Sequence, residues 1–355
     1  MIVSRSRCAM VFTLLLVSLP VAADVDVENG EADSFTLSAY ARIRYSELGG
    51  ALTVPNRTFG LESAGLTADF TVTDEVDGQL QVEVTTEQVS LKDCWLLWEP
   101  CRYGGLQAGY FKKPFCLNTL TSTWNLQSID HSITHRELSD LLYSGRDLGA
   151  VVLADFRSDY LPDLYLGAFN GSSDPLNQDN ELQYAARMEM DFPLNITLGA
   201  DLTALRFGQP DMESVSGYIV SPRQMAYGAD IQAEADVSDD LTLLVRGELV
   251  RGDNWADADV IHGVAAPSFQ TWWTTAGMTW KTDAPSLDAV SIALSMASWK
   301  RDRTLTSRED EFTITLGLDT GSPVSVQLAA IGHRPVNIAG ESNSTDYVAE
   351  ITLDL

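Results

Sequence analysis

The sequence predicts an all-β chain, a 16-stranded antiparallel transmembrane β-barrel with an inward-folded long third loop. Three observations predict it. The chain opens with an export leader. Its apolar and polar residues alternate at period two along its length. Its connections alternate as well, short then long.

The leader comes first in the chain. Arg5 and Arg7 precede an apolar run from Ala9 to Leu19, Pro20 ends any helix, and Val21-Ala22-Ala23 supplies small residues at cleavage spacing. The run is about a dozen residues, short of the ~20 that a spanning helix needs. Residues 1–23 therefore read as a signal peptide and 24–355 as the barrel domain. Cys8 lies ahead of the apolar run rather than just behind it, which argues against a lipoprotein anchor. Loss of Arg5 and Arg7 takes the formal net charge from −27 to −29 (−27 − 2). So acidic a chain excludes nucleic acid as a partner. The mean hydropathy of −0.04 is that of a soluble protein. A barrel gives the same figure, because lipid-facing and lumen-facing residues alternate.

Three cysteines follow the leader: Cys94, Cys101 and Cys116. They are too few for a disulfide framework. Cys94 and Cys101 are pairable by spacing alone. In an extended segment, however, seven residues span ~23 Å at ~3.3 Å each, against the ~5.5 Å a bridge requires between Cα atoms. They are expected to be unbridged.

The strands show as alternation. Phe35, Leu37, Ala39, Ala41, Ile43 and Tyr45 alternate with Thr36, Ser38, Arg42, Arg44 and Ser46. Leu182, Tyr184, Ala186, Met188 and Met190 alternate with Gln183, Arg187, Glu189 and Asp191. Tyr227, Ala229, Ile231, Ala233 and Ala235 alternate with Asp230, Gln232, Glu234 and Asp236. Phe312, Ile314, Leu316 and Leu318 do so with Glu311, Thr313, Thr315 and Asp319, and Tyr347 to Leu355 ends the chain inside a strand. Each such run has one apolar and one wet face.

The connections sort into two classes. Short turns fall at Asp74–Asp77, Pro100–Tyr103, Ser158–Asp163, Phe192–Asn195, Val237–Leu241, Asp283–Asp288 and Thr320–Pro323. They carry the Asp, Asn, Gly and Pro of tight turns. Between them lie Leu48–Arg57, Gln88–Ser90, Lys113–Gly145, Ser172–Asn180, Gly208–Pro222, Asp253–Gln270, Arg301–Ser307 and Pro335–Ser344, all longer except Gln88–Ser90. Seven short turns and eight loops make an even strand number with both termini on one side, as outer-membrane barrels have it. A secreted sandwich has no reason to sort its loops, and an open sheet leaves its edges bare. The aromatics Trp95, Trp98, Tyr103, Tyr110, Trp272, Trp273, Trp280 and Trp299 sit near strand ends, where interfacial girdles place such rings.

Lys113–Gly145 is the longest loop, and Phe115, Leu117, Leu120, Trp124, Leu126, Ile129 and Ile133 make it apolar enough to pack. Thr134 and Glu137 have capping-box spacing, Leu138, Leu141 and Leu142 share a helix face, and Gly145 can close the helix;. Such a loop is expected to fold back into the barrel and narrow it.

Gly109-Tyr110-Phe111-Lys112-Lys113-Pro114-Phe115, then Arg136-Glu137, Gly145-Arg146-Asp147-Leu148-Gly149 and Gly167-Ala168-Phe169-Asn170-Gly171 resemble, in order and spacing, the phosphate-selective porins O and P. The resemblance covers 109–171 and implies a trimeric outer-membrane channel, with lysines and arginines lining a path for anions. Phosphate would exchange hydration for charge-assisted hydrogen bonds from several weak sites. The candidates with lumen parity are Arg42, Arg44, Arg187, Arg246 and Lys113; Arg136 and Arg146 belong to the loop, with Lys112 at its base. The competing reading makes each a wall residue paired with a carboxylate such as Glu83, Asp201 or Glu248. Lumen carboxylates are numerous, with Asp69, Asp230 and Glu234 among them. They leave a general diffusion or cation-preferring channel as the alternative to passive uptake of small anions, phosphate among them.

Other classes find little in the sequence. His131 and His135 have i, i+4 spacing, but no Glu of H-E-x-x-H and no third ligand accompanies them, and no G-x-S-x-G appears;. No enzyme, metal or cofactor is expected. The partners expected are small hydrophilic solutes or inorganic anions, outer-membrane lipids and two further copies of the chain as a homotrimer.

Overall fold

A computed structural model describes residues 34–49, 56–156, 161–172, 177, 179–210, 218–284, 286–321, 323–338 and 340–354. The signal peptide expected at 1–23 lies outside them, as do Leu355 and part of the turn expected at 158–163.

The strands are β1 (Ser34–Glu47), β2 (Arg57–Thr73), β3 (Val76–Val84), β4 (Val89–Cys101), β5 (Gly104–Lys112), β6 (Arg146–Ala154), β7 (Asp163–Phe169), β8 (Gln183–Phe192) and β9 (Ile196–Leu205). They continue as β10 (Gly208–Pro210), β11 (Tyr218–Val220), β12 (Gln224–Ser238), β13 (Leu241–Asp253), β14 (Ser268–Ala284), β15 (Leu287–Lys300), β16 (Arg308–Asp319), β17 (Val324–Val336) and β18 (Ser344–Asp354). All but β10 and β11 close into one antiparallel barrel, so the barrel has 16 strands. The small β10–β11 pair is a hairpin within the connection from β9 to β12. Closure joins β1 to β18, from Tyr40 opposite Asp354 to Glu47 opposite Tyr347. This leaves no sheet edge, the condition for β-structure in lipid.

The two sheet faces separate by parity. Leu66, Leu96, Val152, Leu166, Tyr227, Ile231, Leu249, Ile314 and Ile351 are exposed on the outer face. An apolar surface of that extent is stable against lipid and not against water. Their neighbours Arg187, Asp201, Asp230, Glu248, Thr313 and Glu350 are buried on the inner face. No helix among the described residues is long and apolar enough to cross a membrane; the crossing elements are the strands.

Trp98, Tyr103 and Trp280 are exposed, as a girdle requires, whereas Trp273 and Trp299 are buried in the interior core. Two of the β-bulges in the β1–β5 wall have a charged residue as the extra one. Opposite Arg42 and Ile43 stand Ser63 and Leu61, so Glu62 is the extra residue. Opposite Gln81 and Val82 stand Asp93 and Leu91, so Lys92 is extra. Each bulge re-aims a charged side chain. Cys94, Cys101 and Cys116 are free, and the first two lie on one continuous strand, as its length demands.

Candidate functional site

Residues 113–145 between β5 and β6 carry short helices, α1 (Leu117–Leu120) and α2 (Ile133–Asp140), with a 3-10 turn at Thr123–Asn125. The base of the loop is closed by the Lys113 N–H, which donates to Gly145 O at 2.9 Å. The Lys113 side chain is fully buried. Its ammonium donates to Leu142 O at 2.6 Å and to Gln183 Oε1 at 2.9 Å. Burial pushes it down to about 8. Lys113 is a strut between the loop's two ends and β8.

The apolar side of the loop packs on the wall. Phe115, Ile133, Leu138, Leu141 and Tyr143 share a core with Leu205, Ala226, Val250, Phe269, Trp273 and Trp299. Backbone N–H groups complete the attachment by donating to inner-face side chains. Cys116 N reaches Asp201 Oδ2 at 2.9 Å, and Leu117 N reaches Glu248 Oε1 at 2.9 Å. Ile129 N reaches Thr315 Oγ1 at 3.3 Å, and Ile133 N reaches Glu311 Oε1 at 3.2 Å. These anchors satisfy helix-start and loop donors that would otherwise be buried without partners.

Two local expectations are corrected. The capping box does not form. Ser132 holds the N-cap position of α2 without a side-chain cap bond. Thr134 lies inside the helix, with its hydroxyl 2.7 Å from that of Thr271 on β14. Nor does Gly145 close α2. Leu142 takes the left-handed conformation at φ 59, and the N–H groups of Tyr143 and Ser144 both return to Leu138 O. The Lys113 and Gln183 bonds to Leu142 O hold that non-glycine residue in a conformation it would otherwise avoid.

The cationic candidates separate into three groups. Arg42, Arg44, Arg146 and Arg187 are paired with carboxylates. Arg42 and Arg44 share Glu350, at 2.8 Å each. Arg44 also clamps Asp130 of the loop at 2.8 Å. Arg146 meets Asp93 at 2.8 Å. Arg187 meets Asp201 at 3.0 Å and Asp230 at 2.8 Å. Lys113 and Arg246 are held by neutral oxygens, Arg246 by Gln232 Oε1 at 2.6 Å and Asn125 O at 2.7 Å. Lys112 and Arg136 are the least committed. Lys112 donates to Leu120 O and Thr121 O at 3.3 Å each. Arg136 is half-exposed, with Glu309 and Glu137 at 3.8 and 3.9 Å.

Lys112 and Arg146 converge on a polar cavity of about 200 Å³ between the loop and the β1–β4 wall. Lys92, Tyr40, Trp124, His131 and His135 also line it. The two imidazoles are stacked, with centroids 4.3 Å apart. Burial, then mutual repulsion, lowers His131 to about 3; burial lowers His135 to about 4. Both are neutral near pH 7. Sequence reading missed Lys92, which pairs with Glu83 at 2.6 Å. Its signal was a break in the alternation at Ser90-Leu91-Lys92-Asp93, where the bulge falls.

No family model and no curated protein matches the chain. Solved structures match its fold. The outer membrane channel DcaP of Acinetobacter baumannii has a TM-score of 0.63 at 13% identity, covering 94% of this chain and 100% of that one. The anion-selective porin from Comamonas acidovorans has a TM-score of 0.59 at 9% identity, covering 91% and 100%. OmpT, an outer membrane protein of Vibrio cholerae, in its trimer form, has a TM-score of 0.58 at 12% identity, covering 92% and 100%. The shared property is the outer-membrane β-barrel fold.

Proposed function

We propose that the chain forms a water-filled channel in the outer membrane of a Gram-negative-type cell, taking up small anions passively, phosphate among them, as a homotrimer. Sixteen strands enclose a lumen too wide for side chains to fill. On this reading the 113–145 loop lies across that lumen and narrows it, and the solute passes between the loop and the β1–β5 wall. The observation that carries anion passage is the polar cavity there. Lys92, Lys112 and Arg146 line it, and Lys112 makes no salt bridge among the described residues. An anion passing it would exchange part of its hydration for ammonium and guanidinium hydrogen bonds, each weak enough to release. The likeness to an anion-selective porin supports this direction, and the trimeric OmpT supports the assembly.

A second reading, a general diffusion or cation-preferring channel, draws on a specific observation too. Arg42, Arg44, Arg146 and Arg187 are each neutralised by a carboxylate. The reversal potential of purified protein in a planar bilayer under a KCl gradient separates the two. Anion passage predicts an anion-selective potential and block of chloride current by added phosphate. Cation selectivity without block would overturn it and leave the barrel reading intact.

A further inference from the structure

The inner face of β8, β9, β12 and β13 holds more buried negative charge than its cations offset. Asp201, Asp230 and Glu248 are all buried, and one oxygen of each lies within 4.8 Å of the others. The cation among them is Arg187, which donates to Asp201 Oδ2 at 3.0 Å and to the two oxygens of Asp230 at 2.8 and 3.0 Å. Three carboxylates and one guanidinium leave a net charge of −2 (−3 + 1) out of contact with water. Glu189 adds a further carboxylate at 2.8 Å from Arg187 Nε, but from a rim position that is 31% exposed. Uncompensated charge in such a place costs several kcal/mol per ion.

The hydrogen bonds show where compensation can enter. Glu248 Oε1 accepts from Leu117 N, and Glu248 Oε2 accepts from Asn118 N, Trp273 Nε1 and the Cys116 thiol. Asp201 Oδ2 accepts from Cys116 N. Among the described residues Asp201 Oδ1 accepts from nothing, although its side chain is 0% exposed. Glycine on the neighbouring strand lets these carboxylates lie close against the backbone. A Cβ at Gly228 would stand 2.5 Å from Asp201 Oδ1, and one at Gly199 would stand 2.5 Å from both oxygens of Asp230.

We propose that Asp201, Asp230 and Glu248 bind one hard divalent cation of the calcium class, with Asp201 Oδ1 as the ligand that no other group claims. Two positive charges cancel the local −2. The donors are all oxygen, which hard cations select. Their spread is one that Ca–O distances of roughly 2.3–2.6 Å reach from a common centre. The same carboxylates receive the N–H groups of Cys116, Leu117 and Asn118. The ion therefore fastens the start of the loop to the wall, whichever solute the channel carries.

Trp273 supplies the test, because its indole N–H lies 2.8 Å from Glu248 Oε2 and will sensitise a bound lanthanide. The whole chain, folded in detergent and stripped with a chelator, is titrated with Tb³⁺ under tryptophan excitation. The expected result is saturable emission that Ca²⁺ displaces and Na⁺ does not. Asp201→Asn keeps the shape and removes the charge; it should weaken Tb³⁺ binding at least about tenfold. Gly228→Ala puts a methyl against Oδ1 and should do the same, so loss of either variant to misfolding leaves the other. Heat-dependent gel mobility reports whether each barrel is folded. A folded wild type without sensitised emission would overturn the site. So would emission that survives in a folded variant, because the ion would then be held by other groups.

Discussion

Two walls of the same barrel use the same residue types to opposite ends. On β8, β9, β12 and β13 the charges are buried and packed against one another: Arg187 lies between Asp201 and Asp230, and Glu248 receives loop N–H groups and the Trp273 indole. On β1–β6 they line a cavity. Lys112 holds only backbone carbonyls there, and Lys92 and Arg146 have one carboxylate each. The difference is the loop. Its apolar residues dock on the first wall and dry it, which strengthens every ionic contact. The second wall keeps a polar cavity, and on the proposed function its charges meet water and a solute there.

The sharpest way to break this contrast is Arg187→Ala. It strands Asp201 and Asp230 in a dry site, and urea unfolding of the refolded barrel should show a loss of about 3–5 kcal/mol. A loss near zero would mean that this wall is wet as well. Glu248→Ala comes next. It orphans the Leu117, Asn118 and Trp273 donors, weakening the loop's attachment by about 1–3 kcal/mol, and single-channel conductance should rise and become noisy. A quiet, unchanged conductance would show that the apolar contacts alone hold the loop.

Acid tests the cavity side of the contrast. Burial holds His131 and His135 neutral, at about 3 and about 4 against an ordinary 6.5. Their contribution is whole above pH 6.5 and is lost as the pH falls toward 4 and then 3, because the unfolded chain takes up protons that the fold refuses. The urea midpoint of the wild type should fall across that window more than that of a His131→Gln, His135→Gln double variant. On the open wall, Lys112→Ala should remove ~1 kcal/mol of anion attraction, a roughly fivefold fall in the anion-to-cation permeability ratio. Reversal potentials would read it, and an unchanged ratio would move the path away from this cavity. The smallest effect is expected at Arg136, whose ion pairs are long and half-exposed. Arg136→Ala should change stability by no more than about 0.5 kcal/mol.

Strand parity was legible because a sheet has only two faces, and a period-two pattern assigns each side chain to one of them. That is why Arg42, Arg44, Arg187 and Arg246 could be placed on the inner face before any coordinates. The loop helix was legible as a helix, but its caps were not. Thr134 had the right spacing for a cap, yet it lies 2.7 Å from Thr271, a residue 137 positions away. Leu142 took the left-handed turn because Lys113 and Gln183 hold its carbonyl. Lys92 was missed because a bulge interrupts the alternation that reveals everything around it.

Sequence alone determined the barrel: alternation and turn spacing are local properties, and closure follows from them because lipid tolerates no open edge. Tertiary structure decided what each charge is for. A lysine or arginine reads the same in sequence whether it meets Asp201, a backbone carbonyl or water. Only the packing of a loop against strands distant in the chain sets which of these it meets, and the local dielectric then sets what that contact is worth.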